Sequence, residues 1–336
     1  MRLLSRNAEA LFWLARYLER ASSLSRVIEM QSAFGSLDRE NGWTWLLTLL
    51  NDETRFKEHR AANAASIIEF YTTDQTNPSS IRSSIHWARE NARALRPFIP
   101  LEMWVQLNAF HNTVEAIGPD QIEPAQVPRT CNLVRAGCLA QIGIAEGTLY
   151  RDEGYQFFRL GLLIERADQT SRLLDVKFAQ GVGLKPADPA DDFVFWSTIL
   201  RTAAAFQVFH RLEANKASPE RVARFLILNP SHPRAIAFCI REISDALHIL
   251  RQSFRLQQSN AALEACDLLT EGLHALPGDA DLIGNLHSFN DWVQRRLMAL
   301  TEDIAVAFFR PPPPKASTKP ADENKPASQT QEQRQS

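Results

Sequence analysis

The sequence predicts an all-α protein, a single bundle-like domain of about ten helices with two related helices at its centre. Apolar residues recur at helical spacing nearly throughout, and no segment alternates convincingly with a period of two. The glycines are rare (13 residues) and lie mostly, with prolines, between the periodic segments. One helical segment occurs twice. We therefore expect residues 1–310 to form one helical domain, with half-repeats centred on 8–29 and 154–175.

Breaks in the periodicity define the helices of the first half. Ser5 or Asn7 is expected to cap a first helix that runs to about Phe34, because a short polar side chain can accept from free first-turn amides. The segment Asn77-Pro78-Ser79 opens a helix that Pro97 ends. The helices predicted in this half are 5–34, 43–50, 79–97, 101–117 and 131–146, the last entered through Pro124 and Pro128.

In the second half, a helix from about Asp152 to Phe178 is broken at Gly181, Gly183 and Pro186. Asp191-Asp192 is expected to cap the helix that follows it. The break at 229–233 separates two further helices, and Pro277-Gly278 separates the last two. The helices predicted after the first of these breaks are 193–211, 234–256, 260–276 and 279–309.

Composition excludes several classes of protein. The net charge of −2, from 37 basic and 39 acidic residues, argues against binding to nucleic acid or to a charged membrane surface. Four scattered cysteines without zinc spacing indicate buried free thiols in a reducing compartment. The first six residues do not resemble a signal peptide, and no apolar run is long enough to span a bilayer. We therefore expect a soluble, cytoplasmic protein whose oligomeric state the sequence leaves open.

The C-terminal residues 311–336 differ in composition from the rest of the chain. Four prolines (311–314) precede a Lys-, Ser- and Gln-rich segment without aromatic residues, which cannot bury enough apolar surface to fold. We predict that these residues form a disordered tail.

The repeated helix aligns residues 12–21 with 158–167, and the register continues with 25–29 over 171–175. Seven residues are identical in the two copies, at a constant offset of 146: Phe, Leu, Glu, Arg, Ala, Ser and Arg. This offset is too long for a solenoid repeat, so we interpret the copies as two related halves of one body.

Each copy carries two stripes at helical spacing. One is broad and apolar, and the other lies on the opposite side of the helix. The second stripe reads Ala8, Phe12, Ala15, Glu19, Ser22 and Arg26 in the first copy, and Gly154, Phe158, Gly161, Glu165, Asp168 and Arg172 in the second. Small residues let another backbone approach closely, so we expect both helices to be buried on two sides.

A buried carboxylate must be paired, because leaving it unpaired costs several kcal/mol. If the two helices pack antiparallel about a pseudo-twofold axis, Glu19 can face Arg172 while Glu165 faces Arg26. We state this arrangement as the first pairing hypothesis.

Local pairing is the alternative. Glu19 would then pair with Arg16 or Ser23, and Glu165 with neighbours of Asp168 or with a partner outside its helix. In either case the arginines could also clamp a carboxylate or phosphate. The predicted polar network, structural or ligand-binding, consists of Arg16, Glu19, Arg20, Arg26, Arg89, Asn91, Asn108, Glu165, Arg166, Asp168 and Arg172.

Together these motifs resemble the bacterial alpha-E family, an all-helical domain named for a Glu-Arg motif. The resemblance covers about residues 3–305. It rests on 4–21, 80–81, 88–92, Trp104, Asn108, 157–168, 225–230, 233–234 and 238–239. Ser22 departs from the acidic or amide residue expected after Glu-Arg-Ala, whereas Asp168 keeps it. This departure argues against a role that needs an acid at both positions.

The resemblance implies a function through association. Members tend to be encoded or fused with circularly permuted ATP-grasp proteins and transglutaminase-like proteins, and ATP-grasp enzymes make amide bonds through acyl-phosphates. We therefore expect a helical partner in a peptide- or amide-ligation module that binds the ligase or its peptide substrate. Two alternatives stay open: an enzyme using Glu19, Glu165 and nearby arginines on an activated carboxylate or peptide, and a scaffold without ligand.

Other chemistry finds little support in the sequence. It holds no glycine-rich phosphate loop, no Gly-x-Ser-x-Gly and no His-Glu-x-x-His, so we expect neither a cofactor nor an ATP site of its own. All eight histidines lie outside the Glu-Arg helices, so we also expect no metal site. Glu19 and Glu165 are the candidate catalytic residues if the protein is an enzyme, although no motif in the sequence favours an enzyme.

Overall fold

A computed structural model describes residues 3–34, 43–57, 61–179, 189–213, 218–276 and 278–310. These residues form fifteen α-helices and no strand, so the predicted all-α class is confirmed. The helices are α1 (Ser5–Phe34), α2 (Trp45–Leu50), α3 (Glu53–Lys57), α4 (Ala64–Thr72), α5 (Ile81–Ala94), α6 (Leu101–Glu115), α7 (Val127–Thr148), α8 (Glu153–Leu174), α9 (Val176–Ala179), α10 (Pro189–Thr202), α11 (Phe206–Glu213), α12 (Pro219–Leu228), α13 (Ile236–Gln252), α14 (Asn260–His274) and α15 (Asp279–Ile304).

The two Glu-Arg helices, α1 and α8, lie at the centre of the bundle. They pack against each other, α1 also packs against α5 and α7, and α8 also packs against α13 and α15. Both predicted stripes are covered: Phe12, Ala15, Phe158 and Gly161 are all buried, as is nearly all of the broad apolar face, where Tyr17 is partly exposed. The predicted burial of each helix on two sides is confirmed.

The two helices run parallel, not antiparallel. The Leu3 amide donates to the Glu153 carboxylate at one end, and Gly161 lies against the backbone of Phe12 further along. In both contacts the two residues are separated by nearly the repeat offset of 146. Helices α1 and α8 therefore run side by side in the same direction, with equivalent turns at the same height. The antiparallel packing in our first hypothesis is therefore wrong.

Close approach between these helices depends on Gly161. A Cβ atom placed there would lie 2.1 Å from the Phe12 carbonyl oxygen and 3.1 Å from the Phe12 Cα. Such distances are far inside van der Waals contact, so only glycine permits this backbone separation. The small residue that the repeat places one turn before Glu165 thus sets the distance between the halves.

Several helix ends agree with the sequence signals. The Asp152 side chain accepts from the amides of Gly154 and Tyr155 and so caps α8, which begins at Glu153, close to the predicted start at about Asp152. Ser80 caps α5 by accepting from the Ser83 amide. In α7, by contrast, the helix begins at Val127 rather than Cys131, because proline is tolerated in the first helical turn.

Other predicted boundaries are wrong. The predicted helix 193–211 is two helices, since Ala204 adopts a left-handed φ of 54° between α10 and α11. The predicted helix 152–178 ends at Leu174, and a short α9 follows Asp175. Helices α3 and α4 were not predicted; α3 has only five residues, too few for a periodic signal.

Three predictions lie outside the described residues: the disordered tail 311–336, the break at Gly181, Gly183 and Pro186, and the role of Pro277.

All four cysteines are buried and free, in agreement with the sequence. In the part of the chain that is described, no helix is both long and apolar enough to cross a membrane.

Candidate functional site

The Glu165 carboxylate is the more heavily bonded of the two repeat glutamates. Arg20 donates from Nε to Oε1 at 2.7 Å and from Nη2 to Oε2 at 3.0 Å. Arg16 donates from Nε to Oε2 at 2.8 Å, and Gln169 adds a bond to Oε1 at 3.2 Å. Since only 1% of the glutamate side chain is exposed, these bonds satisfy a carboxylate that water cannot reach.

Glu19 is held in the same way by the other half of the chain. Arg166 of α8 lies 3.0 Å from Oε2, and Arg234, in the segment between α12 and α13, lies 2.8 Å from Oε1. Ser23 adds a long contact of 3.4 Å to Oε1. The Glu19 side chain is completely buried, and two guanidinium groups neutralise it.

The pairing is therefore reciprocal between the copies of the motif. Arg20, which follows Glu19, binds Glu165, and Arg166, which follows Glu165, binds Glu19. The parallel packing explains this arrangement, because it brings the two Glu-Arg pairs to the same level of the bundle. The halves are joined by the Glu-Arg pairs themselves.

The residues in our first hypothesis pair elsewhere, so that hypothesis is wrong. Arg172 pairs with Asp168 one turn before it at 2.9 Å and donates to the Leu49 carbonyl. Arg26 donates to the Thr202 carbonyl at 3.4 Å. Arg172 lies seven residues beyond Glu165, which corresponds to roughly 10 Å along a helix, so parallel packing carries it past Glu19. Most of the local alternatives are present: Ser23 contacts Glu19, Gln169 beside Asp168 bonds Glu165, and the main partners of Glu165 come from outside its helix. The predicted pairing of Glu19 with Arg16 is wrong, because Arg16 pairs with Glu165.

Arg234 supplies Glu19 with a second guanidinium group, which the repeat itself does not provide. Arg16 in the first copy is equivalent to Leu162 in the second, so the repeat supplies Glu165 with two arginines and Glu19 with one. Arg234 provides the missing guanidinium from another part of the chain, anchored where its carbonyl accepts from Thr170 at 2.9 Å. Sequence reasoning assigned the segment around Arg234 to a helix start and missed this role.

The electrostatics keep both glutamates ionised. Burial acts to raise the pKa of Glu165, but Arg20 and Arg16 outweigh it and lower the pKa to about 2. Burial opposes ionisation of Glu19 as well, and Arg166 and Arg234 lower the pKa of that carboxyl. A carboxylate with so low a pKa holds no proton to donate at neutral pH and is a poor general base.

Two cavities flank the Glu-Arg network, and neither is lined by either glutamate. One, of about 230 Å³, lies beside Arg16 and is lined by Phe12, Trp13, Thr301 and Phe309 among others. The other, of about 20 Å³, lies between Arg26 and Arg234. Glu9 and Glu302 line the larger cavity, but a substrate in either cavity would contact neither Glu19 nor Glu165.

The remaining predicted site residues lie apart from the network, on α5 and α6. Arg89 donates from Nε to the Asn108 Oδ1 at 2.9 Å, and its guanidinium lies 5.5 Å from the Trp104 ring. Asn91 donates to the carbonyl of Trp87 on its own helix. These side chains are partly exposed, so they lie at the surface of the bundle rather than in its core.

Beside these residues is an open groove of about 630 Å³ between the end of α5 and the start of α6, which we call the α5–α6 groove. It is lined by Arg93, Ala94, Arg96, Pro97, Ile99, Leu101 and Trp104. Leu101 is 74% exposed, and Phe98 and Val105 next to it are also exposed. Arg96 lies over the Trp104 ring at 5.3 Å. The groove was not predicted from the sequence.

Two groups of side chains in the described residues have the donor types for a metal ion. In each group the ligand atoms lie within 4.8 Å of one another; the groups are His86, His111 and Glu115, and Asp175, His287 and Asp291. The Glu-x-x-His spacing of di-metal bundles occurs at Glu271 and His274 of α14, which belong to neither group. The absence of a metal site stays a prediction.

Comparison with known proteins agrees with the reciprocal motif. Residues 3–309 match Alpha-E, described as a predicted alpha-helical domain with a conserved ER motif. An uncharacterised protein of Mycobacterium bovis and one of Mycobacterium tuberculosis are each 22% identical over 259 residues, which is 69% of this chain. The match spans only 28% of the length of these relatives. No solved structure matches the chain. With nearly all described residues matched and both Glu-Arg pairs joined at the centre of the fold, the chain belongs to the Alpha-E family.

Proposed function

We propose that this protein is a non-catalytic helical partner in an ATP-grasp-linked peptide- or amide-ligation module, and that it binds the ligase through the α5–α6 groove. The observation that carries the proposal is the groove itself: an open surface with exposed apolar side chains and arginines, away from the Glu-Arg network. Such a combination is typical of protein-binding surfaces.

The groove has the chemistry of an interface anchor. Trp104 presents an aromatic face that Arg96 and Arg89 approach, and aromatic and arginine side chains contribute most to hot spots of binding. Arg93 already pairs with Glu90, whereas no carboxylate in the described residues pairs with Arg96. We therefore expect the partner to bring an apolar side chain for Leu101 and an acidic one for Arg96.

The geometry of the Glu-Arg network argues against the enzymatic alternative. Both carboxylates are buried, ionised and fully bonded to arginines, and neither lines a cavity. Acid–base catalysis would need at least one of them within reach of a substrate. Their arrangement supports a structural role that joins the two halves and shapes the surface that a partner binds.

The identity of the partner comes from the family resemblance alone, and the relatives show a domain of this kind within a longer chain. In the two mycobacterial proteins, the matched region is a minor part of a much longer chain. A domain like this one is thus covalently joined there to further protein. A separate chain that acts beside a ligase would correspond to the same arrangement without the covalent link.

Affinity purification of the tagged protein from its source cells, with mass spectrometry, tests the proposal. We expect the wild-type chain to retain an ATP-grasp or transglutaminase-like protein. Leu101→Glu should lose it, because a carboxylate placed in the groove repels an acidic partner. Met298→Glu is the matched control, since Met298 is 68% exposed on α15 and distant in sequence.

Two results would overturn the proposal. One is failure of the wild-type chain to recover either class of protein. The other is equal recovery by Leu101→Glu and wild type, which would place the interface elsewhere. Circular dichroism and thermal unfolding of both variants should match the wild type, because both substitutions are at exposed positions.

A further inference from the structure

We infer that the small crevice beside Arg26 binds the carboxylate group of a small acid or of a peptide end. The crevice is lined by Ser23, Arg26, Val27, Gln169, Thr170, Leu173, Thr202, Ala203 and Arg234. It lies on the opposite flank of the Glu-Arg network from the larger cavity beside Arg16. This inference does not depend on the proposed function.

Charge balance across the network is the first observation. Seven guanidinium groups gather there, from Arg16, Arg20, Arg26, Arg135, Arg166, Arg172 and Arg234, against four carboxylates, from Glu19, Glu29, Glu165 and Asp168. The acids that border the cluster, Asp52 and Glu146, already pair with Arg55 and Arg151. The centre of the bundle therefore carries a surplus of positive charge that an anion would neutralise.

Arg26 is the arginine that this surplus leaves without a carboxylate. Its Nη1 reaches only the Thr202 carbonyl, at 3.4 Å, and its Nε is shielded from water without a hydrogen-bond partner. Burial lowers its pKa to about 10, repulsion from Arg234 and Arg135 adds to the effect, and attraction to Glu19 and Glu29 offsets only part of it. A half-buried cation in this state is stabilised by any anion that can reach it.

The crevice surrounds this cation with neutral hydrogen-bonding groups. Ser23, Thr170, Thr202 and Gln169 line it, and no carboxylate does. Gln169 and Thr202 are only partly buried, so the crevice reaches the surface. An anion entering it meets Arg26 without displacing an acidic side chain, whereas Arg234 is already paired with Glu19.

The size of the crevice limits what enters it. Its volume of about 20 Å³ is little more than the 10–15 Å³ that roughly one water needs, so it takes one oxygen of an anion, and the rest of the group lies at its mouth. The planar guanidinium fork of arginine also matches a carboxylate. The rest of the ligand would extend outward past Gln169 and Thr202.

Titration of the isotope-labelled full chain by NMR tests the assignment. The probes are N-acetylglycine, the longer N-acetyl-triglycine, the uncharged N-acetylglycinamide and inorganic phosphate. We expect both acids to shift the amide signals of residues 23–27 and 202–203, and the uncharged amide to leave them unchanged. Tighter binding of the longer acid would identify a peptide end as the source of the carboxylate, and equal binding a small free acid.

Two arginine variants on α1 test whether binding of the acid depends on this crevice or on the positive charge of the protein in general. Arg26→Gln should weaken binding of N-acetylglycine at least tenfold and should still fold, because Arg26 has no carboxylate partner to lose. Arg6→Gln, at an exposed position of the same helix, should bind as the wild type does. The inference is overturned if N-acetylglycine leaves those signals unshifted, if phosphate binds as tightly, or if Arg26→Gln binds equally well.

Discussion

Arg20 donates two hydrogen bonds to Glu165, from Nε to Oε1 at 2.7 Å and from Nη2 to Oε2 at 3.0 Å, across the boundary between the halves of the bundle. Arg166 returns the interaction by pairing with Glu19 at 3.0 Å. The Glu-Arg dipeptide is therefore a reciprocal clamp, in which each copy supplies the acid that the other copy's arginine needs. Because both carboxylates are buried, removal of either acid would leave the arginines that it pairs without a counter-charge.

Replacing Glu165 with glutamine should destabilise the fold by about 3–5 kcal/mol, because Arg16 and Arg20 would be left with buried, unpaired charges. Urea unfolding followed by circular dichroism would measure the loss. Glu302→Gln is the control: Glu302 pairs with Arg310 at the surface, where such a pair contributes about 0–1 kcal/mol. Equal effects of the two substitutions would contradict a buried clamp.

Stability should depend on pH through the same carboxylate. The folded-state pKa of Glu165, about 2, lies below its ordinary value of 4.5, so its ionised form stabilises the fold fully above about pH 4.5. That stabilisation is lost as the pH falls from there towards 2. The difference in unfolding free energy between wild type and Glu165→Gln should therefore shrink between pH 5 and pH 2.5. A difference that stays constant would show that Glu165 is not ionised.

Gly161→Ala should destabilise the protein by roughly 1–3 kcal/mol, because the added methyl group would overlap the Phe12 carbonyl and push α1 and α8 apart. Gly143, in the exposed part of α7, has open space where an added methyl group would lie, with no atom within 4 Å. Gly143→Ala should instead stabilise by about 0.5–1 kcal/mol. Thermal unfolding of both variants gives the comparison, and the same sign for both would contradict the close packing at Gly161.

Ala204→Gly should stabilise the protein by about 0.5–1 kcal/mol. Ala204 has a φ of 54° between α10 and α11, a conformation that costs an L-residue energy and glycine little. Ala265, within α14, has no such strain, so Ala265→Gly should destabilise by about 1 kcal/mol. Chemical denaturation of the two variants should give opposite shifts of the midpoint, and a loss of stability in Ala204→Gly would contradict the left-handed conformation.

Much of the fold can be predicted from the sequence alone. Helical periodicity identifies the class, and the repeat identifies α1 and α8 as the related central helices. The small residues opposite the apolar face, Ala15 and Gly161, predict a second buried surface because close backbone approach excludes larger side chains. These features are local, since each depends on spacing within a single helix.

The prediction of the site was less complete. Glu19, Glu165, Arg16, Arg20 and Arg166 do form one network, as a polar network around the repeat would require. The groove beside Trp104 and Leu101 was missed because single exposed apolar residues carry no periodic signal.

Only the tertiary structure decided the direction of packing and, with it, the partners. A helical wheel shows which face is buried but not whether the facing helix runs parallel or antiparallel. Parallel packing places Arg166 rather than Arg172 beside Glu19. Because Leu162 stands where the first copy has Arg16, the second arginine of Glu19 is Arg234, from a non-helical segment. Ion pairs between residues nearly 150 or more than 200 positions apart depend on how the helices are assembled, and no spacing along the chain encodes that assembly.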